Sequence, residues 1–108
     1  MTELPAPVEE AFAATNDGDL GRFVAAFAAD GVIDDWGREF RGHEAIAGWS
    51  RRESIGVQQT FSVTDVRDGD GEVVVIADVG GGGFNGSSTF TFRLAPDGAS
   101  IARMTITA

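Results

Sequence analysis

The 108-residue chain has no cysteine, no tyrosine and no lysine, and His43 is its only histidine. Without cysteine there is no thiol nucleophile, no disulfide and no thiolate metal site. Without tyrosine there is no phenol to donate a strong hydrogen bond. All eight bases are arginines, which removes Schiff-base chemistry. One histidine cannot build a two-histidine metal site, so neither a metal nor another cofactor is expected. Any catalysis falls to carboxylates, Arg, Ser and Thr hydroxyls, backbone groups or His43. No apolar run approaches the roughly 20 residues that span a bilayer. The opening MTELPAPVEE is acidic and has no apolar h-region, so the expectation is a cytoplasmic protein with no membrane partner.

What is present suits one folded domain over residues 1–108. Hydrophobic residues make up 43%, with eight Phe and two Trp, enough for a sizeable interior. Seventeen acids against eight bases give a net charge of -9, which argues against nucleic acid as a partner because phosphate binding needs concentrated positive charge.

Helical spacing of Val8, Ala11, Phe12 and Thr15, with Pro5 and Pro7 at the entry, predicts a first helix over 6–16. Asn16-Asp17-Gly18 stops it and caps the next. Leu20, Phe23, Val24, Phe27 and Ala28 form the stripe of a second helix that ends at Asp30-Gly31. Val32–Asp35 reads as a short strand, with Glu39–Arg41 pairing back across Trp36–Arg38. A third helix runs from Gly42 to about Ile55, with Ile46, Trp49 and Glu53 on one side. The period then changes to two, giving strands at 58–67, 72–79, 88–94 and 100–107. Asp68-Gly69-Asp70-Gly71 and Pro96-Asp97-Gly98 are turns between them. Helices followed by an antiparallel meander make an α+β fold. The run GGGGFNG at 80–86 contains G-x-G-x-x-G, but strand leads to strand here, so a hairpin tip or bulge at a pocket mouth is expected, not a dinucleotide cradle.

With that order in place, specific residues resemble the nuclear transport factor 2-like superfamily, and within it the SnoaL-like and ketosteroid isomerase-like members. The shared elements are N-x-G-D-L at 16–20, F-A-x-D-x-V-x-D at 27–34, R-G-x-E-A-I at 41–46 and F-x-F-R-L-x-x-D-G at 90–98. The resemblance implies a cone: a curved antiparallel sheet wrapped around three N-terminal helices, with an internal apolar cavity. It implies that Asp34 stands where the isomerase has its proton-shuttling aspartate. It also puts Ala11 and Phe90 where that enzyme has its oxyanion-binding tyrosine and protonated acid. Both donors are missing, and losing one such donor typically costs about 10²–10³ in rate.

Strand alternation agrees that Val32, Asp34 and Trp36 can share a face, leaving Ile33 and Asp35 on the other. A carboxylate enclosed by apolar walls becomes a usable base near neutral pH. The competing reading has Asp34 capping a turn or pairing with Arg38 or Arg41. Asp35 is expected to face solvent or an arginine. Trp49 is the better core candidate and Trp36 the better mouth candidate. Phe90 and Phe92 are expected to floor the cavity with Phe61, and Ala11, Thr15 and Val32 complete the expected pocket. Arg103 points inward as a partner for Asp34 if the last strand is regular, whereas a bulge would turn it out and Met104 in. His43 reads as a first-turn surface residue and Arg51–Arg52 as a solvated face.

Val74 and Ile76 alternate with Val73, Val75 and Ala77, so both faces of that strand are apolar. Together with the resemblance, this points to a homodimer through the sheet face. The expected function is binding of a small apolar or aromatic molecule, with isomerase or cyclase chemistry at Asp34 and Arg103 as its extension. The alternatives are a non-catalytic carrier and a dimeric scaffold with a filled core.

Overall fold

Pro7 stands in the first turn of helix α1 (Ala6–Asp17), where a missing N–H costs nothing. Gly18, at φ 70°, ends it. Its N–H and that of Asp19 close back on Thr15 and Ala14 at 3.1 and 2.8 Å. Helix α2 (Leu20–Ala25) is capped by the Asp19 carboxylate, which accepts from the Arg22 N–H. The computed structural model describes residues 4–69 and 71–107. Asp70 of the predicted Asp68–Gly71 turn and Met1–Glu3 of the opening segment lie outside them.

Strand β1 (Phe27–Asp35) follows α2 directly, so the predicted second helix is corrected: Phe27 and Ala28 belong to a strand. Long-range pairing overrides the helical spacing there, since Phe27 is in register with Ile101 and the Ile101 N–H bonds the Ala26 carbonyl at 2.9 Å. A two-residue hairpin, Trp36-Gly37, returns the chain to β2 (Arg38–Arg41). Both turn residues have positive φ, 54° and 90°, the left-handed pair that a tight hairpin of this hand requires. Helix α3 (His43–Glu53) and a 3₁₀ turn (Ile55–Val57) then lead to β3 (Thr60–Gly69), β4 (Glu72–Gly80), β5 (Gly86–Leu94) and β6 (Ile101–Thr107).

The six strands form one curved, open sheet in the order β2-β1-β6-β5-β4-β3. Every neighbouring pair is antiparallel except β1 and β6, which run parallel. The α+β class and the sheet curved around the helices are as expected. The helix-facing side of β4 is set by strict alternation, with Val73, Val75, Ala77 and Val79 buried. Opposite them Ser88, Phe90 and Phe92 of β5 are buried. In β6 the register with β5 slips between Arg93/Arg103 and Leu94/Ile101, so Ala102 is the extra residue of a bulge. That bulge brings Ile101, Met104 and Ile106 inward and turns Arg103 away from the core.

Phe12 of α1 is the plug of this half-barrel. Its ring meets those of Phe61, Phe90 and Phe92 edge-on at 5.3, 5.5 and 5.6 Å between centroids. Phe23 stacks on Trp49 at 6.3 Å and lies 5.2 Å from Phe27, joining α2, α3 and β1. At the end of α1 the Asn16 amide bonds both backbone groups of Phe61, donating to its carbonyl at 3.1 Å and accepting from its N–H at 2.7 Å. Phe12→Ala should remove contacts to three rings at once and lower the unfolding free energy by about 3–5 kcal/mol. Urea denaturation checks this, and a loss below about 1 kcal/mol would show that the rings reorganise without it.

Candidate ligand cleft

The Phe12 cluster fills the interior near α1 almost completely. Among Ala11, Phe12, Thr15, Phe23, Phe92 and Met104 the residual void is about 10 Å³, at most room for one water. The expected pocket is therefore corrected for Ala11, Thr15 and Phe92, which belong to packed core. Thr15 has its hydroxyl turned back onto the Ala11 carbonyl at 2.9 Å, as a buried helical threonine must without another partner.

Toward the other end, between α3 and the sheet, a cleft of about 420 Å³ remains. Trp49 and Ser54 contribute from α3 and the turn after it, Phe61 from β3, Val79 from β4, Phe90 and Ser88 from β5, and Ile106 from β6. Trp36 and Phe84 stand at its edge, from the β1–β2 hairpin and the glycine-rich loop respectively. Of the expected pocket residues, Trp36, Trp49, Phe61 and Phe90 line this cleft, as do Gly83 and Phe84 of the GGGGFNG run. That loop lies against residues 57–59 backbone to backbone, with the Gly82 N–H on the Val57 carbonyl at 2.9 Å. At Gly81, φ 107°, a Cβ would stand 2.1 Å from the Gln58 oxygen, so only glycine fits.

Of the two neighbouring aspartates, Asp35 lines the cleft and Asp34 does not. Ile33 is fully buried in the core, and this fixes the phase of β1: Ile33 and Asp35 face the helices, whereas Val32 and Asp34 face the other way. Val32 and Ile33 are both apolar, so alternation alone cannot choose the phase. Asp34 accepts the Gly37 N–H at 2.8 Å, capping the hairpin, and pairs with Arg103 at 2.7 Å. Arg103 also reaches Glu39 at 2.8 Å, and those two carboxylates hold its guanidinium pKa above the ordinary value, Glu39 most strongly. The expected Asp34–Arg103 pair therefore exists, but neither residue lines the cleft, nor does Val32.

Asp35 is held by two donors on one oxygen. Trp49 Nε1 donates to its Oδ2 at 3.1 Å and Arg38 Nη2 donates to the same atom at 2.5 Å. Arg38 also bonds Glu53 through two nitrogens, at 2.7 and 3.1 Å, and its guanidinium lies 5.6 Å from the Phe40 ring centroid. The hydrogen bonds that Arg38 donates to Glu53 pull that carboxyl below its ordinary 4.5 and, with the one it donates to Asp35, raise Arg38. Arg52, the one base among the lining residues, rests 6.0 Å from the same ring. Glu53, Ser54 and Gln59 also line the cleft. Among the described residues no group of three His, Cys, Asp or Glu side chains could hold a metal ion. His43 Nε2 is 2.8 Å from the Phe27 carbonyl, tying α3 to β1 outside the cleft.

Asp35, Ser54 and Gln59 are among the lining residues that sequence reasoning missed. The phase of β1 would have found Asp35, whereas Ser54 and Gln59, expected at the end of the third helix and the start of the strand at 58–67, lie in the irregular stretch between α3 and β3. Because the Glu53 carboxyl is depressed in the folded state, its stabilising effect is complete above 4.5 and is lost as pH falls through the folded value. Glu53→Gln should therefore flatten the decline of the urea midpoint below pH 4.5 and leave the profile between about pH 6 and 8 parallel to wild type.

Residues 8–104 match the sequence model of the SnoaL-like domain. Comparison with curated proteins gives no match. Among solved structures the chain is similar to a candidate polyketide cyclase from Sinorhizobium meliloti, at 25% identity over 96% of this chain and 95% of that chain, with a TM-score of 0.82. It is similar to a protein of ketosteroid isomerase-like fold from Catenulispora acidiphila in complex with trimethylamine, at 22% identity over 98% and 87% of the two chains, TM-score 0.81. A third is a Mycobacterium tuberculosis protein in complex with estradiol-17beta-hemisuccinate, at 20% identity over 95% and 91%, TM-score 0.79. At these identities the last two speak for the fold alone.

Proposed function

The chain belongs to the SnoaL-like domain family, within the nuclear transport factor 2-like superfamily, and from that premise we propose that it binds a small apolar or aromatic molecule in the cleft between α3 and the sheet. One observation carries the reading. Trp36 and Phe84, 66% and 58% exposed, are the large hydrophobic side chains left in water among the described residues, and both edge the same cleft. Exposed apolar groups gathered at one concavity mark a binding site, whereas scattered ones need no explanation. The Trp36 backbone adds to this, because a tryptophan at φ 54° sits in a region that favours Gly, Asn or Asp. A volume of about 420 Å³ suits a compact ligand and counts against the scaffold with a filled core.

Isomerase or cyclase chemistry on the bound molecule has one specific observation in its favour. Both hydrogen bonds that Asp35 accepts end on Oδ2, leaving Oδ1 to meet a ligand or take a proton. In that extension Asp35 takes the place first expected for Asp34, and Asp35→Asn abolishes turnover. In the carrier reading neither form turns over.

Both tryptophans of the chain line the cleft, so its intrinsic emission reports on the site. Titration with 4-phenylbutan-1-ol should shift that emission saturably, and Trp36→Ala should weaken binding by about threefold to tenfold. Ser88→Phe, which puts a ring into the cleft from β5, should abolish binding. Unchanged affinity in a folded Ser88→Phe variant would place the ligand elsewhere.

The outer face of the sheet supports a second copy of the chain as partner. Val74 and Ile76 are half-buried on β4, with Thr89, Thr91 and Thr105 on the same side of β5 and β6. Sedimentation should give twice the chain mass, and Ile76→Arg should return it to the monomer while leaving the cleft titration unchanged.

A further inference from the structure

Resting on that reading of the cleft, we infer that its ligand carries a hydrogen-bond donor, best a protonated amine, on its aromatic or apolar body, and not a carboxylate or phenolate. Among the buried polar groups around the cleft, the amide and indole donors are engaged within the protein: Trp49 Nε1 on Asp35 Oδ2 at 3.1 Å, and Gln59 Nε2 on the Phe84 carbonyl at 3.1 Å. The buried atoms left without a partner there can accept. Gln59 Oε1 and Ser54 Oγ have no hydrogen-bond partner, although Gln59 is only 5% exposed and Ser54 only 2%. Such buried orphans are uncommon in folded proteins and point to a missing partner. Both bonds that Asp35 accepts end on Oδ2, so its Oδ1 is a further acceptor, and of these three groups only the serine hydroxyl can also donate.

The charges agree. Asp35 and Glu53 line the cleft, Arg38 bridges them from beside Phe40, and Arg52 has its guanidinium at the same ring. A ligand carboxylate at Asp35 would set acceptor against acceptor and add like-charge repulsion. An ammonium gains a charge-assisted hydrogen bond there, in a cleft also lined by Trp36, Trp49 and Phe84. The net charge of -9 draws cations toward the surface.

The test uses three probes that share one apolar body: 4-phenylbutylamine, 4-phenylbutan-1-ol and 4-phenylbutyrate, titrated calorimetrically into the full chain at pH 7 and low salt. The amine should bind about tenfold more tightly than the alcohol, as expected for one charge-assisted hydrogen bond, and the alcohol more tightly than the carboxylate. Asp35→Asn should shrink the amine-to-carboxylate ratio about tenfold, whereas Asp34→Asn, one residue away on the other face, should leave it unchanged. Carboxylate binding as tight as amine binding in wild type overturns the inference while the cleft reading stands. Failure of all three probes to bind overturns both.

Discussion

The edge-to-face packing of Phe12 against three sheet rings decides how much of the half-barrel is solid and how much is left open. Four aromatic rings from α1, β3 and β5 occupy the end nearer α1, and the sheet curves around them. What they do not reach becomes the cleft, and its walls reuse the same rings: Phe61 and Phe90 face the plug on one side and the opening on the other. The open part lies toward the β1–β2 hairpin and the glycine-rich loop.

The sequence was most legible where a single period ran unbroken. The alternation of Val73 to Val79 and of Ser88 to Phe92 placed both strands, and in the second it placed Phe90 and Phe92 on the inner face. It failed where two apolar neighbours, Val32 and Ile33, leave the phase open, and there the resemblance chose Asp34 while the fold chose Asp35. It failed again at Phe27, whose helical spacing yields to pairing with a strand 74 residues later, Phe27 to Ile101. The bulge at Ala102 was legible only as one of two outcomes for Arg103, because a one-residue slip leaves no trace in composition. Ser54 and Gln59 stand where the predicted helix and strand overran their ends, so their place in the cleft comes from what surrounds them and not from a period.

Arg38 links the local and the global description of the site. Through Asp35 it holds a carboxylate that lines the cleft, through Glu53 it ties β2 to the end of α3, and its guanidinium lies over Phe40. Lysine could not do all three, since it offers neither the two-pronged contact nor the flat face. The indole of Trp49 then fixes the side of Asp35 that the arginine shares.

The Asn16 amide on Phe61 has a consequence for how copies of this chain can meet. An amide side chain there imitates the backbone of a neighbouring strand on β3, the last strand of the sheet. A stray strand arriving at this border finds the donor and acceptor of Phe61 already taken, and farther along it meets Asp65 and Arg67, paired with each other at 2.7 Å. The opposite border, β2, is only four residues long. Ribbon-like growth from either margin is thereby discouraged, which leaves face-to-face association as the sheet's open route to self-recognition.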